Sequence, residues 1–371
     1  MQKGGMLMTI RKFGLLQGVN SVFIKILIAC VRLFTIGVIC RASSPELFRQ
    51  QMLYLGFLSM VPFLDLGIGG GKFRLDMLGI TSLDTDGHRK IFEMAFNKLC
   101  FIYLAYSLLT FLFFSFFKMP FSGWPIIFLF LRAPFNLFYE VLFSENRAEK
   151  AYFIEIVEQL LLASVTFISV TKFGIESFQS VYSSTYLFLA ILWFSIFLKF
   201  KKWNLKIKIS NFNIESEEIY FFFHSILSNG FLIFVLFVAN YNTSGLDSYE
   251  FNVGFRIVSL IYGATLVVLN PIWNRIVKLG VTHSTLEIKN YIVMVMGCAI
   301  VGICAFFICY QRLFCFIAGF QPQEVILRNY FAIWIFLIFI FLALDLIIKT
   351  VSVRRSIFLW ILLYVGGLAF L

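Results

Sequence analysis

The chain has 371 residues, of which 60% are hydrophobic and only 14% charged, and its mean hydropathy is +0.88. Soluble domains run at roughly 45–50% apolar and about 25% charged, and a folded chain cannot hide so large an apolar excess from water. A soluble enzyme, a nucleic-acid binder and a disordered protein are excluded, and the net charge of +11 has to be read from where the cations fall. They fall mostly between apolar runs. The composition is that of an integral membrane protein.

A helix needs about 20 mostly apolar residues to cross a hydrocarbon core of ~30 Å. On that measure, spans are predicted at 14–39, 53–69, 93–117, 124–144, 153–171, 179–198, 219–240, 251–273, 291–310, 330–348 and 356–371. These continuous runs lack the strict alternation of barrel strands, so the fold class is all-α with about eleven transmembrane helices. The first run is too long for a signal peptide and has no small-residue cleavage site behind it. The seven cysteines include no CxxC pair and mostly lie inside apolar stretches, where they act as small fillers. Neither a metal site nor a cofactor is expected.

Loop cations set the orientation. With the N-terminus cytoplasmic, the inside segments hold twenty of them, among them Lys3, Arg11, Lys12 and the run Lys199, Lys201, Lys202, Lys206 and Lys208. The outside segments hold six: Arg41, Arg49, Lys118, Lys172, Arg312 and Arg328. The longest hydrophilic stretch, Lys199–Glu218, follows six spans. It divides the chain into an N-terminal six-helix bundle (1–200), a basic cytoplasmic linker (201–218) and a C-terminal bundle (219–371) of about five helices. Many secondary transporters are built as two pseudo-symmetric bundles joined in this way. The final run, SIFLWILLYVGGLAFL, is just long enough to span, so the second bundle reads as one helix short.

Cations inside spans carry the functional signal, because a charge at the bilayer centre costs about 2.5–3.5 kcal/mol without a cavity or partner. In the first span, Lys25 and Arg32 lie seven residues apart, which is about 20° from alignment, and Gln17 and Ser21 share their side. The stripe reads as the wet face of a cavity-lining helix; the alternative is that both cations snorkel to the interfaces. In the eighth, Asn252, Arg256, Ser259 and Gly263 follow helical spacing and Asn270 continues the line, against an alternative in which Arg256 snorkels and the small residues serve packing. In the fourth, Arg132, Asn136 and Glu140 are four apart around Pro134, as either a site or an intrahelical ion pair. Lys98, Glu155 and Glu158 read as ordinary interfacial residues, while His224 and Asn229 read as a relay or as satisfied packing. A cavity with excess positive charge suits an anion, and Arg and Lys together suit a phosphate or pyrophosphate better than a lone carboxylate.

Two local patterns go further. One is Asp65-Leu66-Gly67-Ile68-Gly69 after the second span; the other is the Tyr249, Val253, Arg256 approach with the Asn270-Pro271-Ile272-Trp273 exit around the eighth. Together they resemble O-antigen flippases of the Wzx type, within the multidrug/oligosaccharidyl-lipid/polysaccharide (MOP) exporter superfamily. The resemblance implies a MATE-like, V-shaped pair of lobes in the bacterial inner membrane. Such a protein would move an undecaprenyl-pyrophosphate-linked O-antigen or capsular repeat unit from the cytoplasmic to the periplasmic leaflet by alternating access. The polar stripes then supply the contacts: a pyrophosphate held by Lys25, Arg32 and Arg256, with Arg132 secondary, in a cavity lined by Gln17, Ser21, Asn252, Ser259 and Asn270. A proton or sodium gradient would drive it, with Asp65, Glu140 and His224 as candidates for ion coupling. Membrane lipids, an O-antigen polymerase and a chain-length regulator are the implied partners. Pro271 and the Gly67–Gly71 turn would be bending points.

Two rivals remain. An O-antigen polymerase is equally hydrophobic, but such enzymes carry a large periplasmic loop with catalytic arginines, and the outside loops here are short. A drug exporter of the same superfamily would use an acidic cavity for cationic substrates. With neither a catalytic residue nor a selectivity filter in view, the chain reads as a transporter.

Overall fold

The computed structural model describes residues 3–61, 64–66, 68–69, 73–79, 85–116, 123–145, 147–205, 215–216, 218–224, 227, 249–259, 261, 265, 285–319, 321–322, 328–333, 335–337 and 339–340, with side chains from residue 23 onward except at 59, 60, 74, 75, 78, 85, 113, 114, 116 and 285–287. Among the described residues every regular element is helical. In chain order these are α1 (Lys3–Ala42), α2 (Pro45–Met60), α3 (Phe73–Gly79), α4 (Thr85–Phe116), α5 (Gly123–Arg132), α6 (Leu137–Ser144), α7 (Ala148–Phe173), α8 (Phe178–Lys201) and α9 (Thr285–Ala318). Shorter helical stretches lie at 218–224, 249–259 and 328–333. Among the described residues, six segments are long and apolar enough to cross a membrane: Phe23–Ala42, Asp86–Leu112, Gly123–Ser144, Ala148–Phe173, Ile175–Lys201 and Ile288–Ala318. They match the predicted spans 14–39, 93–117, 124–144, 153–171, 179–198 and 291–310. Their outer faces leave Leu104, Phe153, Phe188 and Ile308 open, as a lipid solvent allows.

The second predicted span, 53–69, takes a different form. Its helix begins earlier, at Pro45, where Ser44 caps the first turn by accepting from the Leu47 N–H at 3.4 Å. Proline fits that first position because its missing N–H would have no helical partner there. Ser44→Ala is expected to lower the melting temperature of the detergent-solubilised protein modestly, for a loss of about 1 kcal/mol. The helix stops at Met60, just before Pro62, which has no N–H to continue the ladder. Backbone groups freed in an apolar setting need new partners. Here the Tyr103 hydroxyl donates to the Val61 carbonyl at 2.7 Å, Ile68 N–H to the Asp65 carbonyl at 3.1 Å, and Gly69 N–H to Asp65 Oδ2 at 2.8 Å. Leu66 takes a left-handed conformation, φ 53°, to make the turn. A Cβ on Gly69 would lie 2.5 Å from that Asp65 oxygen, so the bond to the Gly69 N–H leaves no room for a side chain there.

The chain forms two compact units. One comprises Met1–Arg41, Ala148–Leu160 and Tyr249–Val351, and the other Ala42–Arg147, Leu161–Ser248 and Ser352–Leu371. In the second unit, Phe92 is wholly buried and stacks with Phe96 and Phe194, with Phe73, Phe197 and Trp203 around it. Helix α5 packs between α4 and α8, burying Ile127, Leu129 and Phe130. A 3-10 turn, Ala133–Asn136, then joins it to α6.

In the first unit, α9 buries Tyr291, Val295, Ala299, Phe306, Tyr310, Phe314 and Ile317 and exposes Val293, Ile300, Val301 and Ile308. This spacing of three, four and seven defines a single inward stripe. Gly37 of α1 meets the end of that helix: a Cβ there would sit 3.5 Å from the Ile317 carbonyl oxygen. Arg41 donates to the Phe316 carbonyl at 2.5 Å, and Gly319, at φ 83°, closes the helix with its N–H on the Cys315 carbonyl.

Candidate functional site

Lys25 and Arg32 both reach one acidic side chain, Glu155, in the first half of α7. Lys25 Nζ lies 2.5 Å from Glu155 Oε2, and Arg32 Nη2 lies 3.0 Å from Oε1. Each carboxylate oxygen therefore takes one cation. The spacing of seven on α1 makes this possible, since it brings the two basic side chains to one face two turns apart. Tyr152, one turn before Glu155, places its ring 4.7 Å from Lys25 Nζ, within cation–π range. Lys25 and Glu155 are 20% and 19% exposed, whereas Arg32 is 45% exposed. The three side chains sum to one positive charge, and Arg32 is the most exposed of them.

The eighth-span candidates belong to the same compact unit. Asn252 is fully buried, and the Ser259 hydroxyl bonds back to the Phe255 carbonyl at 2.8 Å, as a serine in an apolar helix does. Arg256 lies one turn beyond Asn252 and is half-buried. Gln17 and Ser21 are in α1, with their side chains outside the described residues, and Asn270 and Asn229 are wholly outside them.

The remaining candidates sit in the other unit. Arg132 is buried, with its guanidinium 3.2 Å from the centroid of the Tyr186 ring. The 3-10 turn at Ala133–Asn136 interrupts the α-helical period that placed Arg132, Asn136 and Glu140 in one line. Glu140 lies in the first turn of α6, where a carboxylate complements the helix dipole. Asp65 is buried and caps Gly69, and His224 is buried near the end of the 218–224 stretch. Between α2 and α8, Gln179 donates to Gln51 at 3.0 Å and the Tyr54 hydroxyl bonds to Ser183.

Two acidic residues acquire roles that the sequence reading gave to neither. Glu155 is the shared partner of Lys25 and Arg32. Glu218 pairs with Lys98 at 2.7 Å, with the two side chains only 5% and 10% exposed. The available signal was that each carboxylate lies in or beside an apolar run, where an acid needs a partner. Lys201 pairs with Glu145, tying the end of α8 to the turn after α6.

No protein-family model matches the chain, and no curated sequence is similar to it. Solved structures are. A MATE protein in complex with MaD3S aligns at a TM-score of 0.68 with 14% identity, over 93% of this chain and 84% of that one. A MOP superfamily transporter from Pyrococcus furiosus, described for the reverse polarity of its binding pocket, aligns at 0.66 with 12% identity and the same coverages. The inward-facing form of a multidrug resistance MATE family transporter of that superfamily aligns at 0.63 with 13% identity, over 93% and 87%. The fold is all-helical and MATE-like.

Proposed function

We propose that this chain is a membrane transporter for an anionic, lipid-linked oligosaccharide, moving polyprenyl-pyrophosphate-linked repeat units from the cytoplasmic to the periplasmic leaflet of the bacterial inner membrane. The observation that carries the reading is the Lys25–Glu155–Arg32 triad, which keeps two cations and a positive balance on one side of a membrane helix. The MATE-like fold and the flippase-like motifs at Asp65–Gly69 and Tyr249–Arg256 support it. A pyrophosphate offers oxygens for both an arginine fork and a lysine point charge. Without a protein, the charged head and its sugars would face the whole desolvation cost of the bilayer. Arg256 and Asn252 would extend the polar surface in the same unit, and a proton or sodium gradient would drive the cycle, with Asp65, Glu140 and His224 as candidates for coupling.

The test is the sidedness of lipid-linked single repeat units in a deletion strain. An impermeant glycan label applied to spheroplasts and to inverted vesicles reads each leaflet. Accumulation on the cytoplasmic side, relieved by restoring the gene, is expected. Unpolymerised units on the periplasmic side would replace the flippase with a polymerase. Unchanged repeat units with altered export of cationic drugs would favour a drug exporter.

A further inference from the structure

We propose that Glu155 is a built-in occupant of the anion seat and sets the charge a ligand must carry to enter it; this rests on the anionic-substrate reading above. The geometry is that of a ligand already bound. One carboxylate oxygen accepts from Lys25 at 2.5 Å and the other from Arg32 at 3.0 Å, which is the two-oxygen, two-donor arrangement of a phosphoryl group between the same cations. Tyr152, on the same helix as Glu155, backs Lys25 with its ring 4.7 Å from Nζ. Arg32, with 45% of its side chain exposed, is the donor an incoming anion meets first.

The charge balance then selects the ligand. A monoanion exchanges one single charge for another and gains nothing by displacing Glu155. Pyrophosphate brings more charge and more acceptor oxygens, so it can take both cations while the carboxylate withdraws. The apparent affinity of the seat falls by the fraction of time it stands free of its internal occupant. Glu155 thereby converts two cations into a site that discriminates by charge.

The test is binding of inorganic pyrophosphate, and separately of acetate, to the full chain in nanodiscs by titration calorimetry. For Glu155→Gln, pyrophosphate is expected to bind about tenfold tighter, with acetate binding appearing where the wild type shows none. Glu155→Asp, one methylene shorter and unable to bridge both cations, is expected to fall between the two and serves if the glutamine variant does not fold. The double variant Lys25→Ala/Arg32→Ala is expected to lose the signal. Pyrophosphate binding that is equal or weaker in folded Glu155→Gln would overturn the inference alone, leaving Glu155 as a tether that positions the cations. Absence of binding in wild type and variants alike would overturn the anion seat itself, and the inference with it. Undiminished binding by the double variant would place the signal elsewhere and overturn both.

Discussion

Lys98→Met is expected to destabilise the protein by about 3–5 kcal/mol, because it strands a buried carboxylate. Glu218 is 5% exposed, and its two oxygens are both committed: Oε1 to Lys98 at 2.7 Å and Oε2 to the Glu215 backbone N–H at 3.0 Å. The second bond is half of a capping box, in which a glutamate reaches back to satisfy the N–H at the head of its own helix. The methionine fills the lysine's volume but supplies no charge, so the penalty is electrostatic rather than a cavity. Unfolding of the purified protein in a mixed detergent titration reads the loss. Lys98→Met combined with Glu218→Gln should recover most of it, since removing both charges also removes their desolvation. A single variant as stable as wild type would mean that Glu218 reaches water, and that the pair stabilises no more than a surface ion pair does.

Gly254→Ala is the second large effect, and its origin is steric. A Cβ built on Gly254 would lie 2.2 Å from Cε2 of Phe331 and 2.8 Å from two further ring atoms. The ring has no easy retreat: Phe331 is 2% exposed and is flanked by Phe251 and Phe306, with centroids at 5.7 and 6.3 Å. Overpacking of this kind costs about 1–3 kcal/mol, and within a membrane, close packing at small residues is the main attraction between helices. Thermal unfolding in detergent should show a clear drop for Gly254→Ala. Adding Phe331→Leu, which shortens the obstacle, should return part of it. An unchanged melt for the single variant would show that the 249–259 and 328–333 stretches pack less closely than this.

Length and apolarity made the spans legible, because about 20 apolar residues are a complete signal for a crossing helix. Segment 288–318 could be placed from its letters alone. Helix α2 could not. The predicted span began at 53, whereas the helix starts at Pro45 and buries Gln51 against Gln179, 128 positions away. A buried amide bonded across helices looks polar to any local measure. The candidate site divides along the same line. The common face of Lys25 and Arg32 follows from helical geometry within one segment, but Glu155 joins them across 130 and 123 positions, which no periodicity records. The Arg132, Asn136 and Glu140 line assumed one uninterrupted α-helix, and the 3-10 turn at Pro134 changed its pitch. Phenylalanine serves on both sides: Phe153 and Phe188 are exposed on outer faces, while Phe92 and its neighbours form a core.

The long separation within the Lys25–Glu155 pair has a consequence for synthesis. A ribosome extends the chain at roughly 5–20 residues per second, so α1 emerges roughly 6–26 s before the carboxylate that pairs with it. For that interval its two intramembrane cations, each costing about 2.5–3.5 kcal/mol at the bilayer centre, have no acid from α7 to pair with. Meanwhile the lipid headgroups are the surroundings that long basic side chains can reach by snorkelling. Arrival of α7 then supplies the carboxylate.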